Sequence, residues 1–256
     1  MNWSGLYLFE LILMRMTGFV AFNPLYGRSS FPALAKAGLT LVLSVFVFGI
    51  TDAAPAPPGS VLTLALPLLL ELGIGLVLGF LMRFVFAVVQ VGGEVIDTQM
   101  GITMAQIYDA SSQASMTVTG SLLNVLLALD FFAENGHYTL MRILLTSGEL
   151  VPYGTAMLGE AAAARMVELF AACMVLAVKL AMPILAAELL GEVGMGILMK
   201  VIPQINAFVI NIELKVVIGL LLLFVFLMPM NEFLLELESN MLGELTRMLE
   251  VLGGTG

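Results

Sequence analysis

The chain has one cysteine, one histidine and one tryptophan among 256 residues, and only 11% of its residues are charged. The single Cys173 excludes an internal disulfide, and a buried small side chain is the simplest interpretation of a cysteine in such an apolar run. The single His137 has no second histidine and no cysteine near it in sequence, so a zinc-ligand pattern is absent. We therefore expect no metal and no cofactor.

Sequence motifs of enzymes are also missing. The chain contains no G-x-S-x-G and no H-E-x-x-H, and the glycines of "GEVGMG" at 191–196 have the wrong spacing for a phosphate-binding loop. That run also lies in an apolar, helix-like context with no strand before it. The sequence predicts a protein without catalytic residues, that is, not an enzyme.

Apolar residues are what the chain has in abundance. They make up 60% of it, and the mean hydropathy is +1.05, which leaves too little polar surface for a water-soluble fold. Ten basic residues stand against 19 acidic ones, so the net charge of −9 argues against a nucleic-acid partner. The first apolar stretch carries Glu10 and Arg15 and has no basic start, unlike a cleavable signal peptide. We predict one integral membrane domain.

Seven apolar segments recur along the chain, and only some of them are clean membrane spans. The segment at 33–50 is about as long as the roughly 20 residues that a bilayer crossing needs, and the loop "TDAAPAPPGS" follows it. The segment at 61–91 is longer than one crossing requires. All seven lie near 5–22, 33–50, 61–91, 116–133, 137–151, 166–199 and 213–229.

Charged residues interrupt these segments. Each would cost about 2.5–3.5 kcal/mol if it faced lipid in the middle of a helix, so most should face protein, water or the membrane interface. Such a number of charges suggests helices that other subunits partly cover or that lie outside the hydrocarbon layer. The residues are Glu10, Arg15, Lys36, Glu71, Arg83, Asp130, Lys179, Glu188 and Lys200.

Glycines and small polar residues mark two further stretches. Gly75 and Gly79 have the four-residue spacing that lets two helix backbones touch. Residues 92–121 mix glycine, methionine and small polar residues, and their polar groups could not lie unpaired against lipid. This stretch should line water or pack on protein.

The polar run "MKVIPQINAFVINIELK" at 199–215 separates two apolar segments. Because Pro203 lacks a backbone donor and its ring would clash with the carbonyl of Met199, we predict that a helix ends or kinks there and that 200–212 form a polar elbow. A straight helix would instead place several polar residues on one face as a pore or subunit stripe. The elbow or subunit-contact residues are Lys200, Pro203, Gln204, Asn206, Asn211, Glu213 and Lys215.

Four stretches occur in an order that resembles a known family. They are "FNPLYGRSSFPALAKAGL", "GGEVIDTQMGITMAQIYDASSQAS", "FFAENGHYTLMRILLTS" with "VPYG", and "VIPQINAFVINIELKVVIGL". The chain resembles, over essentially its whole length, the FliR family, the R subunits of the flagellar type III protein-export gate. The equivalent subunit of a virulence injectisome is similar, and "PQIN" followed by "LKVVIGL" favours the flagellar member.

The resemblance implies an all-α membrane subunit with long broken helices and a C-terminal helical hairpin, part of a helically wound hetero-oligomeric channel. Residues 1–160 would be a P-like portion, and 166–256 a Q-like hairpin with its elbow near 200–212. The implied partners are the P and Q gate subunits, the B switch subunit, unfolded flagellar export substrates and membrane lipid. The implied location is the flagellar basal body in the bacterial inner membrane.

The resemblance also suggests a plug-like pore segment within 106–118. Small serines there could pair with pore-lining groups and be displaced at little entropy cost. The plug candidates are Tyr108, Asp109, Ser111, Ser112, Gln113, Ser115 and Met116. A secondary transporter is the less favoured alternative, because 61–121 and 166–229 show no convincing internal repeat.

Overall fold

The computed structural model describes the backbone of residues 3–26, 32–51, 55–56, 59, 61–103, 117–155, 157–201 and 207–254; the side chains of 61, 62 and 207–212 are left undescribed. Within these ranges the ordered elements are α-helices, and no strand occurs. The predicted all-helical fold is confirmed. The helices are α1 (Trp3–Phe22), α2 (Ala33–Ile50), α3 (Val61–Gln99), α4 (Val118–Ala133), α5 (Gly136–Leu150), α6 (Glu160–Val201) and α7 (Ala207–Leu252).

Five of these helices are long and apolar enough to cross a membrane, whereas α4 is a shorter apolar helix. Helices α3, α6 and α7 have 39, 42 and 46 residues. At about 1.5 Å per residue each rises roughly 60–70 Å, about twice the hydrocarbon thickness. These three helices therefore extend well beyond what a single straight crossing uses.

Two helices continue further than the hydropathy pattern predicts. Helix α3 runs to Gln99, past the end of the apolar segment at 91, and α7 runs from Ala207 to Leu252. Gly92 and Gly93 do not end α3, because their missing side chains allow close packing: a Cβ on Gly92 would lie 3.0 Å from the carbonyl oxygen of Ala177. Hydropathy indicates where a helix is compatible with lipid. It does not detect a helix that continues because it packs against other parts of the protein.

Prolines lie inside the long helices without ending them. Pro67 is within α3, Pro183 within α6 and Pro229 within α7. Each proline removes one backbone donor, but in an apolar environment unwinding the helix would leave many more backbone groups unpaired.

The chain forms two compact units. Unit 1 comprises residues 1–85, 131–171 and 238–256, and unit 2 comprises 86–130 and 172–237. In unit 1, α1 buries a helical stripe of Leu8, Leu11, Ile12, Arg15, Met16 and Phe19. In unit 2, the core includes Val88, Ile96, Met100, Leu123, Leu180 and Ile184. The division into P-like and Q-like portions remains a prediction.

Candidate functional site

Helices α1 and α3 approach each other closely in unit 1 through glycines. A Cβ on Gly75 would overlap the backbone carbonyl of Arg15, and one on Gly18 would overlap the carbonyl of Leu72. A Cβ on Gly79 would lie 2.9 Å from Cβ of Phe22. Both glycines singled out from the sequence thus face α1. Gly18, the partner position on α1, has no glycine-spacing signal in the sequence.

This close approach brings two opposite charges together. Arg15 and Glu71 both belong to the buried stripes of their helices, and both are 0% exposed. Nε of Arg15 donates to Oε2 of Glu71 at 2.7 Å. Arg15 and Glu71, two of the charges that interrupt apolar segments, therefore form a buried ion pair.

The remaining donors of Arg15 reach α5 and the turn after it. Nη1 donates to Oγ of Ser147 at 3.2 Å, and Nη2 donates to the carbonyl of Val151 at 2.9 Å. The guanidinium carbon also lies 4.1 Å from the ring centroid of Tyr153, a cation–π contact. Burial raises the pKa of the Tyr153 phenol, although the Arg15 charge offsets part of that rise, so the ring stays neutral at physiological pH.

The second oxygen of Glu71 is held by a turn. The backbone N–H of Gly154 donates to Oε1 of Glu71 at 2.9 Å, and Gly154 has φ +84°, a conformation that suits glycine. Pro152 helps to end α5, and Thr155 N–H closes the turn on the carbonyl of Pro152 at 3.2 Å. The motif "VPYG" thus supplies a carbonyl, an aromatic ring and an N–H to one ion pair.

We call this group the polar lock: Arg15, Glu71, Ser147, Val151, Tyr153 and Gly154. It links α1, α3, α5 and the turn at 151–154 within unit 1. A buried ion pair whose members make further hydrogen bonds is tolerated, whereas breaking one by removing a partner costs about 3–5 kcal/mol. The lock therefore fixes the relative positions of these elements. The sequence shows that both charges should avoid lipid, but it does not show that these two residues, 56 positions apart, pair with each other.

Unit 2 has its own polar contacts between α3 and α4. Asp97, fully buried, accepts the backbone N–H of Thr119 at 3.1 Å and also its hydroxyl. This carboxylate satisfies a free N–H in the first turn of α4, as a capping side chain does. One turn further along α4, Nδ2 of Asn124 donates to Oε1 of Gln90 at 3.0 Å. The start of α4 is therefore fixed to the C-terminal part of α3.

The predicted polar elbow at 200–212 lies only partly within the described residues. Helix α6 ends at Val201 and α7 already begins at Ala207, so residues 207–212 are helical. Pro203, Gln204 and Asn206 lie outside the described residues, and of Asn211 only the backbone is described.

The other elbow residues lie on the helices. Lys200 is exposed in the last turn of α6, and Glu213 is exposed on α7. Lys215 forms an ion pair with Glu192 of α6, which Nε2 of Gln99 also approaches at 3.5 Å. Only one of these residues therefore has a described contact between helices of unit 2, and their role as an elbow remains a prediction.

All seven plug candidates, Tyr108, Asp109, Ser111, Ser112, Gln113, Ser115 and Met116, fall in 104–116, outside the described residues.

The nine charges that interrupt apolar segments separate into three groups. Arg15, Glu71 and Glu188 are buried. Glu10, Lys36 and Asp130 are partly exposed, and Arg83, Lys179 and Lys200 are exposed.

The fold and the buried charges define a multi-span helical membrane protein. A family described as "Bacterial export proteins, family 1" matches residues 6–241, and the chain belongs to this family. The resemblance predicted from the motifs is thereby confirmed.

Among its relatives, the chain is 28% identical to "Flagellar biosynthetic protein FliR" of Escherichia coli (strain K12), over 96% of this chain and 94% of that protein. It is 27% identical to the protein of the same name of Bacillus subtilis (strain 168), over 90% and 92%. It is also 27% identical to "Yop proteins translocation protein T" of Yersinia pestis, over 77% and 76%. These two flagellar relatives match more of both chains than the Yersinia pestis protein does.

Proposed function

We propose that the protein is a structural subunit of the membrane gate through which a bacterium exports flagellar proteins. The family match over residues 6–241, with flagellar relatives aligned along almost the whole chain, carries this proposal. In this role the chain is part of a conduit for unfolded flagellar substrates and catalyses no reaction.

The exposed apolar surface of α6 supports a role within an assembly. In unit 2 its large exposed side chains extend from Val175 to Val201. Those 26 residue steps span roughly 39 Å at 1.5 Å each, more than the roughly 30 Å of hydrocarbon in a bilayer. Lipid covers part of this face, and the remainder requires apolar protein surface.

The proposed covering partners are the P and Q subunits of the gate, with the B switch subunit as a further neighbour. The gate would lie in the bacterial inner membrane at the flagellar basal body. In this proposal, the polar lock keeps unit 1 rigid while the apolar faces of the helices contact partner subunits and lipid. A solitary chain would leave those faces exposed, so we expect it to aggregate without its partners.

The injectisome subunit is the second candidate, because the Yersinia pestis translocation protein is 27% identical over 77% of this chain. The flagellar proposal is preferred because the flagellar relatives align with 96% and 90% of it.

The proposal is tested by deleting the gene in its native bacterium and measuring hook and filament proteins in the cytoplasm and in the culture medium. We expect both proteins to be synthesised but not exported, and a plasmid copy of the gene to restore export. Unchanged flagellar export in the deletion strain would contradict the proposal. Loss of effector secretion with normal flagellar export would instead identify the injectisome subunit.

A further inference from the structure

Glu188 is a carboxyl group buried in the helix packing of unit 2. It lies on α6, is 2% exposed, and its Oε1 has no hydrogen-bond partner among the described residues. That oxygen faces Gly219 of α7, 3.0 Å from the position that a Cβ there would occupy. The side chain of Met100, the residue that directly follows α3, lies close to the same glycine. The carboxyl group is therefore enclosed by α6, α7 and the residue at the end of α3.

The charged groups near Glu188 are already paired with each other. In the described part of unit 2, the charged groups that act on Glu188 are Lys215 of α7 and Glu192, one turn further along α6. Lys215 is ion-paired with Glu192, which Gln99 of α3 also approaches. Two carboxyl groups thus share a single ammonium group, and one negative charge is left over if both are ionised.

A buried carboxylate without its own counter-charge is costly, and proteins avoid that cost by keeping such a group protonated. Glu192 has both the ion pair with Lys215 and greater exposure to solvent, so Glu188 is the member that binds the proton. A metal cation is a poorer occupant, because the Lys215 ammonium repels it and the described residues offer no third acidic, histidine or cysteine ligand.

We propose that Glu188 is a proton-binding site, neutral while α6 and α7 pack as they do in this structure, and that losing the proton loosens this helix pair. Ionised Glu188 would need water or would compete with Glu192 for the Lys215 ammonium, and water entering beside Gly219 would separate α6 from α7 there. The inference concerns unit 2 alone and does not depend on the proposed export function.

Infrared difference spectroscopy of the purified full-length protein, kept with whatever subunits co-purify, tests the protonation directly. At neutral pH, wild type minus Glu188→Gln should show a carboxylic-acid carbonyl band that shifts in deuterium oxide. The matched control is Glu94→Gln, an exposed acid of α3 in the same unit, which should give no such band at neutral pH. Absence of the band for Glu188 would overturn the proposal.

The consequence for packing is tested by thermal unfolding at several pH values. Because the folded state holds a proton that the unfolded state releases, wild-type stability should fall as the pH rises through the deprotonation of Glu188. Glu188→Gln, which mimics the neutral acid, should remove that part of the fall, while Glu94→Gln should keep it. Identical pH profiles for wild type and Glu188→Gln would contradict the link between the proton and helix packing.

A third variant tests the charge argument. In Glu192→Gln the Lys215 ammonium loses its carboxylate, so it becomes available to an ionised Glu188. The acid band assigned to Glu188 should then weaken or vanish at neutral pH. A band of unchanged strength would show that the competition for Lys215 does not set the protonation of Glu188, and would overturn that step.

Discussion

Gly154 and Glu71 are 83 residues apart, and a 2.9 Å hydrogen bond from the Gly154 backbone N–H to Oε1 of Glu71 joins them. Through Oε2, the same carboxylate binds Arg15. The positive φ of Gly154 orients the turn, so a local feature of "VPYG" completes an ion pair between two distant helices. The polar lock thus combines one buried salt bridge with a backbone conformation that favours glycine.

Glu71→Gln should destabilise unit 1 strongly, because it leaves the Arg15 charge buried without a counter-charge. The expected loss is about 3–5 kcal/mol, measured as a lower midpoint of thermal unfolding in detergent. Arg83→Gln is the matched control, since Arg83 is an exposed charge on the same helix and its change should have little effect.

Replacing both charges should recover part of that loss. In Arg15→Met with Glu71→Leu, neither charge remains to be desolvated, and the side chains fill similar space. The double variant should unfold at a higher temperature than Glu71→Gln. If Glu71→Gln matches wild type, the lock does not stabilise the fold.

Gly75→Ala should disrupt the contact between α1 and α3, because the added methyl group would overlap the carbonyl of Arg15. Overpacking of this kind costs about 1–3 kcal/mol or more. Gly191→Ala on α6 is a suitable control, since a Cβ there meets nothing within 4 Å and should be neutral or mildly stabilising. Equal unfolding midpoints for the two variants would contradict the close contact.

The same contact predicts the effect of a larger side chain at the second glycine. Gly79→Leu should prevent incorporation of the chain into its complex, because a Cβ at this position already lies 2.9 Å from Phe22. Leu78→Met, a volume-conserving change at a buried neighbour, should be tolerated. Normal incorporation of Gly79→Leu, measured by affinity co-purification, would show that the contact between α1 and α3 has space for a larger side chain at this position.

Asp97→Ala should loosen the start of α4, because the N–H and hydroxyl of Thr119 lose their acceptor. A cost of about 1–2 kcal/mol is expected for such a cap. Amide hydrogen exchange of residues 118–124 should quicken, whereas Glu94→Gln on the exposed side of α3 should leave it unchanged. Unaltered exchange in Asp97→Ala would mean that this end of α4 is held by other contacts.

Deleting Ser111–Ser115 should raise ion leakage through assembled gates if the segment seals the pore, as the family resemblance suggests. Sealing and subunit packing are separate tasks, so the complex should still assemble. Conductance of membranes containing the deletion variant measures this. Conductance equal to wild type, or loss of assembly without leakage, would remove the plug assignment.

Hydropathy located the helices where lipid compatibility decides their extent. The apolar segment at 33–50 coincides with α2, and α1 and α4 begin within two residues of their predicted starts. Helix α3 extends past the predicted end because Gly92 and Gly93 pack against protein, which a hydropathy profile does not detect.

The candidate site was less predictable than the helices. Each charge of the Arg15–Glu71 pair is visible in the sequence as a residue that should avoid lipid, but their pairing depends on the approach of α1 to α3. Gly75 and Gly79 indicate a contact, whereas nothing in one sequence names Gly18 as the facing residue. The sequence therefore indicates which residues should avoid lipid or allow a close helix contact. Only the three-dimensional structure shows which residues they contact.

Affinity purification from the membranes of the native bacterium, in mild detergent, tests the central claim most directly. With a tag on this chain, mass spectrometry and size-exclusion chromatography should find one large hetero-oligomer that contains P- and Q-type export-gate subunits. A well-behaved monomer without those partners, with the same protease protection as the chain has in its native membrane, would contradict the account.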